Sequence, residues 1–153
     1  MDTMSKPKLY LDNCCFNRPF DDQSQLLVRL ETEAIFFIQE EIKKGTFDLV
    51  WSYVLDMENN VNPYPGRKKS VQAWKSFARM DVEESEALLV LMESFEKRKV
   101  KSYDALHLAA AVVASAEFFI TVDRGILNKP IKEIRVMNPE QFVRYYGEIE
   151  NDE

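Results

Sequence analysis

Three short apolar runs, separated by segments of helical periodicity, limit this chain to a layered α/β architecture. Lys8-Leu9-Tyr10-Leu11 stops at Asp12, Phe47-Asp48-Leu49-Val50-Trp51 stops at Ser52, and Phe118-Phe119-Ile120-Thr121-Val122 stops at Asp123. Between the first two runs, Leu27, Leu30, Ala34, Phe37, Ile38 and Ile42 predict an amphipathic helix from about Ser24 to Lys44, ended by Gly45 as a C-terminal glycine. Asn13 to Asp22 is rich in turn formers and reads as a loop. Ser52 predicts an N-cap for the helix that follows it. After the break Asn62-Pro63-Tyr64-Pro65-Gly66, two helices are expected, around Lys68 to Arg79 and around Glu83 to Lys97. Ser102 is placed to cap a further helix, Tyr103 to about Ser115, whose alanines make it apolar nearly all round and therefore buried. Ile134 to Met137 reads as a last strand, with Asn138 or Pro139 opening a C-terminal helix through Tyr146. Strands alternating with helices predict a three-layer α/β/α fold with a mostly parallel central sheet. With no internal repeat or linker, one domain over residues 1–153 is expected.

Charge narrows the function classes. The formal net charge is −6, which argues against non-specific nucleic-acid binding through many lysine and arginine contacts, while leaving room for a local basic rim. Such a rim has its material in Lys97, Arg98, Lys99 and Lys101 and in Arg67, Lys68 and Lys69. No apolar stretch approaches the roughly 20 residues that span a bilayer. The N-terminus lacks a secretory pattern, so a cytoplasmic protein is expected. The two cysteines, Cys14 and Cys15, are adjacent and read as reduced packing residues, because a bond between neighbours strains the intervening peptide.

Position singles out four acids. Open parallel sheets bind ligands beyond the carboxyl ends of their strands, where Asp12 and Asp123 both fall. Phasing the helix from Val54 at about 100° per residue centres Val54, Leu55, Met57 and Val61 on one face, puts Glu58 about 40° from its centre and turns Asp56 outward at about 200°. Asp104 shares a face with Leu108 and Ala111 on the buried helix, where an unpaired carboxylate is costly. Each acid also has an ordinary reading: a turn or cap at Asp12 and Asp123, a first-turn helix acid at Asp104, an ion pair at Glu58. Taken together the four converge. Two like charges about 4 Å apart repel by roughly 4 kcal/mol at an effective dielectric of about 20. A hard divalent cation removes that repulsion, and oxygen ligands favour Mg²⁺ or Mn²⁺ over zinc. Such ions suit phosphodiester hydrolysis, polarising the phosphoryl oxygen and helping to generate hydroxide.

The segments Leu11-Asp12-Asn13, Ser52 with Glu58, Tyr103-Asp104-Ala105-Leu106-His107-Leu108-Ala109-Ala110-Ala111, and Thr121-Val122-Asp123-Arg124-Gly125-Ile126-Leu127 resemble PIN-domain motifs in the family's order, from Leu9 to about Val143. The resemblance implies a parallel sheet flanked by helices and a Mg²⁺/Mn²⁺-dependent ribonuclease. By position, Asp12, Glu58, Asp104 and Asp123 match its catalytic metal site. It also implies an RNA substrate, and many small members are toxins that form homodimers and pair with a cognate antitoxin protein. This chain departs from the typical toxin in its charge, its asparagine-rich Glu58 to Asn62 segment and its long Cys14 to Asp22 stretch. The rival of a different class is a catalytically silent PIN-like module that binds RNA or protein. A haloacid-dehalogenase-like phosphatase would need a second aspartate at position 14, which is Cys14.

Supporting residues are expected nearby. Asn13 and Thr121 adjoin site acids and are placed to orient a carboxylate or water. Arg18 and Arg124 are candidates for phosphate contact, against an ordinary reading as solvated surface arginines. His107 reads first as a packed histidine satisfied by a local hydrogen bond, with a general-base role the lesser alternative. Trp51, Trp74 and the phenylalanines read as core.

Overall fold

The computed structural model of the chain describes residues 6–151. Five strands, β1 (Lys8–Leu11), β2 (Asp48–Ser52), β3 (Ala78–Val82), β4 (Phe118–Ile120) and β5 (Arg135–Met137), form one parallel sheet in the order β3-β2-β1-β4-β5. The connecting helices are α1 (Asn13–Asn17), α2 (Leu26–Lys44), α3 (Tyr53–Asn60), α4 (Pro65–Ala73), α5 (Glu86–Lys97), α6 (Ser102–Val113), α7 (Arg124–Leu127) and α8 (Pro139–Asn151). α2 packs with α8 and α5 with α6, giving helical layers on the two faces of the sheet. No helix among the described residues is long and apolar enough to cross a membrane.

β1 is the central strand, with Leu9 paired to both Leu49 and Phe118. A strand covered on both faces must be apolar at every position, and Leu9, Tyr10 and Leu11 are all buried. From β1 the chain winds first toward β2 and β3 and later returns to place β4 and β5 on the other side. Strand order therefore reverses between β1 and β4, the place where an open α/β sheet leaves a crevice at its carboxyl edge. Asp12 lies immediately past β1, and Asp123 three residues past the end of β4.

Several local expectations are corrected. Asn13 to Asp22 is not a loop: Asp12 caps α1 and a 3-10 turn, Arg18–Phe20, continues it. The expected helix at Lys68 to Arg79 ends at Ala73, and after a 3-10 turn (Trp74–Phe77) the chain enters β3. β3 is an edge strand paired only to β2, and its Arg79, Met80 and Asp81 face solvent, so it carries no apolar signature. α6 is capped at Lys101 without a side-chain bond, and the Ser102 hydroxyl instead donates to Glu96. The buried stripe of α2 is Glu31, Ala34, Ile35, Ile38 and Ile42, whereas Leu27, Leu30 and Phe37 are exposed. Gly45 does end α2, with φ at 84°, a left-handed conformation that suits glycine. Ser52 caps α3 by accepting from the Leu55 N–H. Trp51 is core, but Trp74 is half-buried and Phe20, Phe36 and Phe77 are exposed.

Candidate metal centre

Asp12 is 5% exposed and tightly held. Its Oδ1 accepts from the Asn13 backbone N–H at 2.8 Å, and its Oδ2 accepts from the Thr121 hydroxyl at 2.8 Å. The same Thr121 oxygen accepts from the Asp123 N–H at 3.0 Å, so one fully buried threonine ties together the two strand-end acids. Asp123 then caps α7, its Oδ1 accepting from the Gly125 N–H at 2.7 Å.

Glu58 reaches the centre from α3. Its Oε1 lies 2.7 Å from Nε2 of His107, and that nitrogen is 3.8 Å from Oδ1 of Asp12. Asp12, Glu58 and His107 each place one donor atom within 4.8 Å of the others. Asp104 and Asp123 stand outside this group of three. They line an adjoining cavity of about 300 Å³ together with Lys99, Lys101, Asn128 and Lys129. Among the described residues none of these lysines has an ion-pair partner.

Electrostatics report the same convergence. Burial, followed by the charges of Asp12 and Asp123, pushes the Asp104 carboxyl up to about 6. Burial also raises Asp12, against the opposing pull of His107 and the Thr121 hydrogen bond. For His107, burial opposes the charged form, but the bond to Glu58 and the Asp12 charge outweigh it and move the imidazole upward. Carboxylates gathered beside a buried imidazole are a donor set that fits a divalent cation, which would relieve their mutual repulsion.

Neither a protein-family model nor a curated protein matches the sequence. Among solved structures, a chain of the crystal structure of VapBC2 from Rickettsia felis bound to a DNA fragment from their promoter is similar, with a TM-score of 0.57. The match covers 86% of this chain and 98% of that one, at 12% sequence identity. The fold is PIN-like.

The remaining expected site residues have distinct placements. Asn13 supports Asp12 through its backbone, while its side-chain Oδ1 is buried without a hydrogen-bond partner. Arg18 does not turn toward the acids: it ion-pairs with Asp21 at 3.0 Å and Glu31 at 3.2 Å, fastening the α1 region to α2. Arg124 is exposed on α7, within electrostatic reach of Glu31. Asp56 is not turned to solvent as its helical phase suggests, because it accepts from the Trp51 indole and from Gln72 and pairs with Lys75. Both cysteines are free, but Cys14 is more than packing: its sulfur is 3.5 Å from Asp12 Oδ2 and 3.3 Å from Thr121 Oγ1.

His107 is packed as expected, yet its partners are not local. Its Nδ1 meets the Tyr10 hydroxyl at 2.6 Å, and Glu58 holds the other nitrogen. Sequence reasoning weighed His107 only as a lesser general-base alternative and did not single out Tyr10 at all. The available signal was Tyr10 itself, a hydroxyl in the middle of a buried strand that must find a polar partner.

Proposed function

We propose that this chain is a Mg²⁺- or Mn²⁺-dependent endoribonuclease, a single PIN-like domain over residues 1–153. The observation that carries the proposal is the meeting of the Asp12 and Glu58 carboxylates around His107, one atom of each lying within 4.8 Å of the others at the sheet's carboxyl edge. Asp12, Glu58, Asp104 and Asp123 are assigned to hold the cation, and one or two ions are compatible with four carboxylates. Thr121 and the Asn13 N–H keep Asp12 in one orientation. Lys99, Lys101 and Lys129, unpaired beside Asp104 and Asp123, supply positive charge for the phosphates of an RNA strand. When bound, a divalent cation would polarise a phosphoryl oxygen and lower the pKa of a water molecule.

Within this reading we take the chain to be a toxin that acts in the cytoplasm as a homodimer and is neutralised by a cognate antitoxin protein; the likeness to a VapBC2 chain supports the fold on which this rests. Expression of the chain alone should then arrest growth, and a small protein encoded beside it should relieve the arrest.

The decisive assay is cleavage of total cellular RNA with Mg²⁺, Mn²⁺ or EDTA, run beside Asp12→Asn. Cleavage should need the ion and should drop at least about a hundredfold in the variant, in line with loss of a group that stabilises charge in the transition state. Full metal-dependent cleavage by folded Asp12→Asn would overturn the mechanism. Absence of Mn²⁺ binding at millimolar ion would favour the silent binding module instead.

A further inference from the structure

His107 is the only histidine in the chain and is 1% exposed. Both ring nitrogens are engaged, Nδ1 by the Tyr10 hydroxyl at 2.6 Å and Nε2 by Glu58 at 2.7 Å. The Tyr10 hydroxyl is also 2.6 Å from Ser52 Oγ, which accepts from the Leu55 N–H at 3.3 Å.

The direction of each bond follows from what its groups can do. A carboxylate only accepts, so Nε2 carries the hydrogen that faces Glu58. While the ring is neutral Nδ1 is an acceptor, filled by the Tyr10 O–H; in the protonated ring Nδ1 donates to Tyr10 instead, and Nε2–H faces Glu58 in both forms. The Tyr10 oxygen accepts from Ser52, and Ser52 accepts from the backbone at the start of α3. With the ring neutral, every donor points the same way around a circuit that begins at Leu55 on α3, crosses β2, β1 and α6, and returns to α3 at Glu58. Ser52, Tyr10 and His107 are all at most 1% exposed, so each of their polar groups must be satisfied inside the protein.

Glu58 depends on this circuit. Its side chain is 34% exposed, and among the described residues it takes a hydrogen bond from His107 alone. A glutamate free of that bond would keep its rotamer freedom and sample orientations away from Asp12.

We propose that His107 is a positioning residue, its Nε2–H holding the Glu58 carboxylate toward Asp12 while Tyr10, backed by Ser52, occupies Nδ1 and fixes the ring in place. The inference rests on the metal-dependent reading above. It gives the buried imidazole a role through Glu58 and not as a base or a ligand.

Calorimetric Mn²⁺ titration of the wild type, His107→Gln and His107→Asn tests it, with thermal melts to establish folding. The Gln amide nitrogen stands near Nε2 and can still donate to Glu58, whereas the Asn amide stands near Nδ1 and cannot reach. His107→Asn should weaken Mn²⁺ binding about 10–100-fold, the usual effect of removing a group that orients a metal ligand, and His107→Gln should recover most of it. A role in packing alone would not separate the two amides in that order. In the metal-free wild type, ¹⁵N NMR of the sole histidine should find Nε2 protonated, a result that needs no variant to fold.

Equal Mn²⁺ affinity in the wild type and folded His107→Asn would overturn the positioning role and leave the metal reading intact. A bare Nε2, or ¹⁴N hyperfine coupling showing His107 ligated to bound Mn²⁺, would also overturn it. No Mn²⁺ binding by the wild type would overturn the metal reading and this role together.

Discussion

Replacing Asp104 by Asn should stabilise the metal-free protein and weaken its response to metal. Asp104 ionises at about 6 in the folded chain, against 3.8 for a free aspartate, chiefly through burial and then the charges of Asp12 and Asp123. Each pKa unit corresponds to about 1.4 kcal/mol, so the full shift would amount to about 3 kcal/mol at neutral pH. Asp104 is only half buried, and solvent screening reduces this to on the order of 1–2 kcal/mol. Asparagine keeps the shape without the charge. At roughly 2–4 °C per kcal/mol for a chain of this length, the variant should melt roughly 2–8 °C higher in EDTA.

The pH dependence has a definite sign. Because the folded carboxyl binds its proton more tightly than the unfolded one, Asp104 contributes a loss of stability as pH rises from about 4 through about 6. That part of the pH slope should be absent from Asp104→Asn. Adding Mn²⁺ reverses the order: ion at a hundred times its dissociation constant adds about 2.7 kcal/mol to a protein that binds it, and less to a variant that binds weakly. Calorimetric melts with EDTA and with Mn²⁺, across acid to neutral pH, measure all three effects. A variant that melts no higher than the wild type in EDTA would refute the electrostatic reasoning. An advantage undiminished by Mn²⁺ would refute the assignment of Asp104 to the cation.

Two further outcomes separate substrate binding from scaffold. Replacing Lys99, Lys101 and Lys129 by Ala should raise KM for RNA while largely sparing kcat, and should reduce the salt slope of RNA binding by about 0.7 for each phosphate no longer neutralised; an unchanged salt slope would remove these lysines from the RNA path. Thr121→Val should destabilise the fold by about 1–3 kcal/mol in denaturant titration, since it strips a donor from Asp12 and leaves the Asp123 N–H without its acceptor; a stability equal to the wild type would show that solvent replaces both bonds.

What could be read from the sequence follows from how much each element's environment is written into its own residues. β1 and β4 are covered on both faces, so they had to be apolar throughout and were visible as runs. β3 has one neighbouring strand and presents Arg79, Met80 and Asp81 to solvent, which leaves too little apolar pattern to mark a strand. α1 is held by interactions that turn-forming composition does not announce: the Asp12 cap, the Asn17 side chain donating to the Asn13 carbonyl, and the Arg18 pairs to Asp21 and Glu31. Tertiary ion pairs override local preference there.

The same distinction divides the candidate site. Asp12 and Asp123 were legible because strand ends have a fixed place in a parallel sheet, and Thr121 because it adjoins one of them. Helical phase pointed to Glu58 from a face of which only Val54 and Leu55 are buried, Met57 and Val61 being exposed, and it misjudged Asp56, since it sees neither the Trp51 indole nor the Lys75 ammonium beside it. His107 lay furthest from reach. On α6 alone it is one more residue of a buried face, and its meaning comes from Tyr10, 97 positions away, and Glu58, 49 positions away. Periodicity carries no information about such pairings, but buried polarity does. A tyrosine between Leu9 and Leu11, a serine ending β2 and a histidine inside an alanine-rich helix each need an internal partner. With the topology known, those three are drawn into one circuit, and its free end rests on Glu58, the partly exposed carboxylate beside Asp12.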